Sequence, residues 1–314
     1  MRKRLIRLAA WTVTAGLLVL LFRRISVGEV VAAARGAAGW TIPVALLGAV
    51  AIYLADSFAI WKTFGWFLAR LSFVDVLLVR GATYLLAAIN YNVGQGAIVY
   101  FVHRVAAVPV IRGAATILFI MGINVLALLF LATIGLAGAP AVPHAVAVIV
   151  VVAYAGFAVY VVALAAKPRW LVSRPLFQVL LGAGLSGHAR ALAVRLPHIA
   201  ALFAFQICMM RAFGVAVPVV EAVAALPVVF FIAVLPISVQ GLGTTQAAMI
   251  YFFARYAPGD RPAQQAAILT ASLVGQALVL SFQALLGIVC LKSRVGRALE
   301  ASVATPPPMA SSSA

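Results

Sequence analysis

Two stretches of this sequence break long apolar runs with residue types suited to holding an anion. They read Asn90-Tyr-Asn-Val-Gly-Gln-Gly96 and Leu235-Pro-Ile-Ser-Val-Gln-Gly-Leu-Gly243. Glycine reaches backbone angles that a helix excludes, and proline lacks the amide that a helix needs, so each stretch predicts a chain reversal. A helix starting just after each, near Gly96 and at Thr244, opens with up to four amides lacking an intrahelical acceptor and about half a positive charge. A phosphate group fits such a helix start. The candidate binding residues of the first stretch are Asn90, Asn92, Gly94, Gln95 and Gly96. Those of the second are Ser238, Gln240, Gly241, Gly243, Thr244, Thr245 and Gln246. The threonines and glutamines can cap the helix as readily as donate to a ligand, and the glycines can serve the turns alone.

Charged residues in apolar surroundings form a second set. Arg80, Arg104, Arg112, Arg211 and Arg255 lie in or beside apolar segments. An arginine within a membrane is expensive and marks a functional site by default, whereas one near a helix end reaches the interface instead. Arg112 and Arg255 fit the interfacial reading. Arg104 follows Gly96 by eight residues, about 12 Å along a helix, and can pass an anion toward the glycine turn. Arg211 can pair with Glu221 across a short turn. Asp56 needs a partner or a proton. Lys62, six residues on, lies on nearly the opposite side of the helix and is a poor partner, which leaves an arginine from elsewhere or a cavity facing lipid as alternatives. Asn124, Gln206, Gln276 and Gln283 are suited to joining helices.

Other chemistry is not expected. His103 has no second ligand at metal spacing, and no nucleophile elbow, Walker loop, paired carboxylates or zinc motif occurs. Cys208 and Cys290 both sit in apolar runs, as buried thiols do. The expectation is a protein without enzymatic activity, cofactor or metal.

The elements that position these residues follow from composition. Of the 314 residues, 66% are hydrophobic and 9% are charged, and mean hydropathy is +1.16. Average soluble domains are about 45–50% apolar and about 25% charged, so the solvent for most of this chain is lipid. Lys and Arg number 23 against 6 Asp and Glu, a net charge of +17. The cations sit at the ends of apolar segments, without a polar domain to bind nucleic acid. They suit topology setting or anionic lipid head groups, at about 1 kcal/mol for each basic residue near a negative leaflet.

Six spans are predicted: Leu5–Phe22, Trp40–Trp61, Ile111–Leu136, His144–Ala166, Ile199–Val217 and Gln264–Leu291. Met1-Arg2-Lys3-Arg4 precedes the first, and Arg23 and Arg24 follow it in place of a cleavage site, so it reads as retained. A short interfacial helix is expected over 26–38. The segment Lys167 to Arg195 carries five basic residues and no acidic one, which places it and both termini on the cytoplasmic side of a bacterial-type inner membrane. Arg23, Arg24 and Arg35 run against this assignment. Segments 74–108 and 219–257 then each begin and end on one face. Each is expected to be a re-entrant hairpin whose arms meet near the midplane at Gly-x-Gly, one entering from each side. A shift of 147 residues superposes Gly94 on Gly241 and Gly96 on Gly243, and Asp75 and Glu221 open the two first arms. An inverted repeat of halves about 40–136 and 199–291 is therefore expected, with a substrate site between them. Residues 301–314, rich in proline and serine, are expected to be a disordered tail after a transmembrane domain over 1–300.

Leu235-Pro236, Gly241-Leu242-Gly243 and the short helix and final span after them, with Asn90 to Gly96 ahead of His103-Arg104, resemble the flippase-like integral membrane domain of lysylphosphatidylglycerol synthases. The likeness covers roughly residues 5–295. It implies a stand-alone member without the synthase domain, moving an anionic phospholipid or polyprenyl-phosphate head group between leaflets. The chain departs from that family at Gln246, where an acidic residue tends to follow the second glycine motif, and Ala97-Ile98 after Gly96 bring no acid either, which puts carboxylate-dependent proton coupling in doubt. Two other readings stand beside it. One is a secondary transporter of a small anionic solute. The other is an accessory subunit that recruits a lipid-modifying enzyme through residues 167–195.

Overall fold

The computed structural model describes residues 27–89, 91–138, 144–234 and 241–293; the regular elements among them are all helices, with no strand. In chain order the helices are α1 (Val27–Arg35), α2 (Thr41–Phe67), α3 (Phe73–Ile89), α4 (Tyr91–Ala106), α5 (Val110–Gly138), α6 (His144–Ala166), α7 (Arg169–Val172), α8 (Gln178–Gly182), α9 (Gly184–Ala212), α10 (Val219–Val234), α11 (Thr244–Phe253) and α12 (Arg261–Leu291). Five are long and apolar enough to cross a membrane: α2, α5, α9, α12 and the Val146–Ala166 part of α6. They correspond to five of the predicted spans. The sixth, Leu5–Phe22, lies outside the described residues, as do the tail and the candidate residues Asn90, Ser238 and Gln240.

One span differs in extent. The span predicted from Ile199 begins at Gly184 and runs unbroken through Pro197 to Ala212. The basic segment 167–195 is therefore only in part a surface loop, because its last residues belong to the helix. Arg195, read from the sequence as a topology charge, is 5% exposed inside the protein.

The two interrupted segments form pairs of shorter helices. In the first, α3 ends at Ile89 and α4 begins at Tyr91, ahead of the glycines. Gly94 lies inside α4 pressed on α3, where an added Cβ would meet the Ala87 Cβ at 2.5 Å. Gly96 is also helical. Arms of 17 and 16 residues are each about 25 Å long, more than the ~15 Å needed to stop halfway through a hydrocarbon core. In the second pair Gly241 and Gly243 do turn the chain, with φ of +72° and +84°, and α11 starts at Thr244 as predicted. Asp75 has a local task, since Ser72 and Asp75 cap α3 reciprocally: Ser72 Oγ donates to Asp75 Oδ2 at 2.6 Å and accepts from the Asp75 amide at 3.1 Å.

Packing is closest where small residues face large ones. Gly48 on α2 lies under the Phe205 ring, Gly287 on α12 meets Leu85, and Gly135 on α5 lies against the backbone of Ala224 on α10. Without a hydrophobic force between helices in lipid, such close approaches supply the dispersion contact that holds them. Large apolar side chains face outward, among them Leu47, Val151, Val159, Leu285 and Val289. Phe67 meets Phe119, Gly187 lies against Phe67, and Tyr160 bonds His188, so the end of α2 and the starts of α5 and α9 share one end of the molecule with the end of α6. Arg70, Arg112, Lys167, Arg169, Arg174 and Arg190 belong to segments at that end.

Candidate functional site

The strongest concentration of polar chemistry lies between four helices. Asp56, in the middle of α2 and 1% exposed, receives two arginines. Arg80 on α3 donates through Nε to Oδ2 at 2.5 Å, and Arg195 on α9 donates through Nη1 to Oδ1 at 2.5 Å. Arg195 Nε also donates to Asn124 Oδ1 on α5. The Arg80 guanidinium lies 4.6 Å from the centre of the Tyr84 ring. One turn beyond Arg195, His198 Nδ1 lies 3.3 Å from the Ile52 carbonyl, one turn before Asp56. Helical spacing puts each pair on one face, so α2 and α9 present a carboxylate and a guanidinium at the same level.

The charges in this cluster do not cancel. Two guanidiniums and one carboxylate leave a formal charge of +1 (2 − 1) in a helix-lined interior. Arg80 Nη1 is buried with no hydrogen-bond partner, and so is the neighbouring Ser57 Oγ. The exposures of the Arg80 and Arg195 side chains are 11% and 6%, so bulk water does not compensate the excess. A guanidinium offers paired donors in a plane that matches carboxylate or phosphate oxygens. The cluster has the charge and the free donor that an anion needs.

The glycine stretches are arranged differently from expectation. At the start of α11 the Gly243 amide donates to Gln246 Oε1 at 2.7 Å, Gln246 Nε2 donates to Gln276 Oε1 on α12 at 3.0 Å, and Thr244 Oγ1 donates to the Gly241 carbonyl at 3.0 Å. Gln246 is fully buried. These residues cap the helix and join it to α12. Thr245 Oγ1 is buried without a partner, and an added Cβ on Gly241 would lie 2.5 Å from it. Because Gly94 and Gly96 are inside α4, the expected helix start near Gly96 is absent; the start is at Tyr91, with Asn92 exposed and Gln95 buried.

Two charged residues also change partners. Arg104 stands in the last turn of α4, its Nε 3.3 Å from the Tyr100 hydroxyl and its guanidinium over that ring, at the far end of the helix from Asn92. Glu221 pairs with Arg255 at 2.7 Å, not with Arg211, which is exposed in the last turn of α9. Arg255 lies in the turn that closes α11, and the antiparallel return of the chain brings it back to the start of α10. That pair joins the two ends of the second helix pair. Lys62, as its azimuth predicts, faces away from Asp56, with Nζ 4.3 Å from the Trp61 ring centre.

Sequence reasoning put Asp56 among the candidates and flagged Arg80 as costly in an apolar run, but left Arg195, Asn124 and His198 outside the site. The available signal was Arg195 and His198 at i and i+3 around a proline, directly ahead of an apolar span. Among the described residues no group of His, Cys, Asp or Glu could hold a metal ion. Compared with protein-family models, curated proteins and solved structures, the chain gives no match.

Proposed function

We propose that this protein is an integral membrane transporter that passes an anionic head group, of a phospholipid or a polyprenyl phosphate, between leaflets. The observation that carries this reading is the excess positive charge at Asp56, Arg80 and Arg195, with the Arg80 Nη1 donor unused. Removing a charge from water costs several kcal/mol even after relaxation. A phosphate entering the cluster supplies both the missing charge and the missing acceptor, while its hydrocarbon chains remain in lipid. The cluster is nearly closed, so entry requires the helices to part, and the anion stabilises whichever state it binds better.

In this reading α3–α4 and α10–α11 are hairpins re-entering from opposite faces, Leu5–Phe22 is the sixth span, and the halves form an inverted repeat. The order long helix, two shorter helices, long helix, met once in α2–α5 and again in α9–α12, supports that assignment. The basic end faces the cytoplasm of an inner membrane, with both termini there. The likeness to the flippase-like domain of lysylphosphatidylglycerol synthases agrees with the same cargo. In this reading the protein acts by carriage.

The test is reconstitution of the full chain into liposomes holding head-group-labelled phosphatidylglycerol or phosphatidylcholine. The anionic lipid crosses faster than in protein-free vesicles. Arg80→Gln and Arg195→Gln each slow it by about tenfold or more, the loss of one charge-assisted hydrogen bond. Absence of any anionic-lipid transit overturns the proposal, and uptake of inorganic phosphate into the same vesicles then favours a small-solute carrier.

A further inference from the structure

A second feature lies apart from the charge cluster. A cavity of about 630 Å³ runs between α5, α6, α8 and α10, and it is lined along α5 from Leu118 to Ala132. The fifteen residues Leu118 to Ala132 span about 21 Å of helix, which gives a mean section of about 30 Å². It is a half-open groove with room for a hydrocarbon chain. One leaflet of a bilayer core is ~15 Å deep, so the groove is also long enough for the chain of a leaflet lipid.

Its lining is apolar except at one end, where the Tyr160 hydroxyl lies 2.5 Å from His188 Nε2 and His188 Nδ1 lies 2.6 Å from the Gly184 carbonyl. Tyr160 is six residues before the end of α6, about 9 Å below the helix terminus. The polar pair stands about two turns inside the end of α6, at the end of the groove nearest the basic segment 167–174. Lys167 and Arg169 follow directly above it, and Arg174 adjoins Phe177, which lines the same end. Two glycines widen the groove: an added Cβ at Gly122 or Gly156 would meet nothing within 4 Å. The wall on the α6 side belongs to the least buried of the five long apolar helices, so the groove borders lipid.

We infer that this groove seats one hydrocarbon chain of an anionic membrane lipid, with the chain's polar end at Tyr160 and His188 and its phosphate at the basic rim of Lys167, Arg169 and Arg174. The site requires the protein to lie in a bilayer; it does not require transport. Chain length and section select a lipid over a compact apolar molecule, and the basic rim selects an anionic one.

The experiment uses the full chain in vesicles containing phosphatidylglycerol with a diazirine midway along one acyl chain. After irradiation, adducts are mapped by peptide mass spectrometry. Adducts concentrate on groove residues such as Val125 and Phe157, above the level on the outward residues Val151 and Val159. Gly122→Leu and Gly156→Leu, made singly, fill the groove, and groove adducts are lost while those on Val151 and Val159 persist. The same diazirine on phosphatidylcholine labels the groove more weakly. Groove labelling that is unchanged in both filled variants, or no stronger than on the outward residues, overturns the inference. Disulfide-linked dimers formed through Gly156→Cys overturn it also, by placing a second copy in the groove.

Discussion

Asp56→Asn is the most direct probe of the buried cluster. The substitution keeps the size of the side chain, removes its charge, and turns an amide donor toward one of two guanidiniums that each held an oxygen at 2.5 Å. The formal charge rises from +1 to +2 with no water to screen it. Breaking a buried pair by deleting one partner costs about 3–5 kcal/mol. At roughly 2–4 °C per kcal/mol for chains of a few hundred residues, the unfolding midpoint falls by about 6–20 °C. Asp56→Asn/Arg195→Gln returns the charge to +1 and lets the new glutamine bond Asn124, so it recovers part of the loss, a coupling of about 1–3 kcal/mol. The assay is thermal unfolding of the purified protein in detergent, followed by tryptophan fluorescence. A single variant indistinguishable from the parent, or a double variant that loses the sum of the two singles, refutes the reading of the three groups as one electrostatic unit.

Gly135→Leu forces a side chain into the Ala224 backbone and separates α5 from α10, so it prevents accumulation of folded protein, whereas Gly122→Ala, facing open space, leaves the elution profile of the parent. Gln246→Leu strands the Gly243 amide and takes the Gln246 donor from Gln276 Oε1, destabilising by about 1–3 kcal/mol, and adding Gln276→Leu restores part of this in the same unfolding assay. Glu221→Gln lowers stability by less than about 1 kcal/mol, because the Arg255 side chain is 46% exposed, and the difference shrinks further in high salt.

The long apolar helices were legible because twenty or so consecutive apolar residues leave few alternatives to a spanning helix. The interruptions between α3 and α4 and ahead of α11 were legible too, as clusters of polar residues and glycine. Their detailed roles were not. Gly241 and Gly243 have the positive φ that their type suggests, whereas Gly94 serves close helix contact, which the same letter specifies equally well. Arg195 was misassigned because a count of basic residues along a segment contains no information on which of them turns inward. Its carboxylate partner is 139 residues away, and Arg80 reaches the same carboxylate from 24 residues away. Contacts of that range arise from how helices stack, and no local period records them.

Pro197 lies between Arg195 and His198 in the interior of α9. It has no amide to offer the carbonyl of Ala193, so the ladder of α9 has a missing rung at the level of the charges, and the rod is softest there. The portion before this joint holds His188 beside the apolar groove, and the portion after it holds Phe205 and Met209 in the packed interior. A bend at that joint would move His188 and Arg195 together, because both lie on the same side of it.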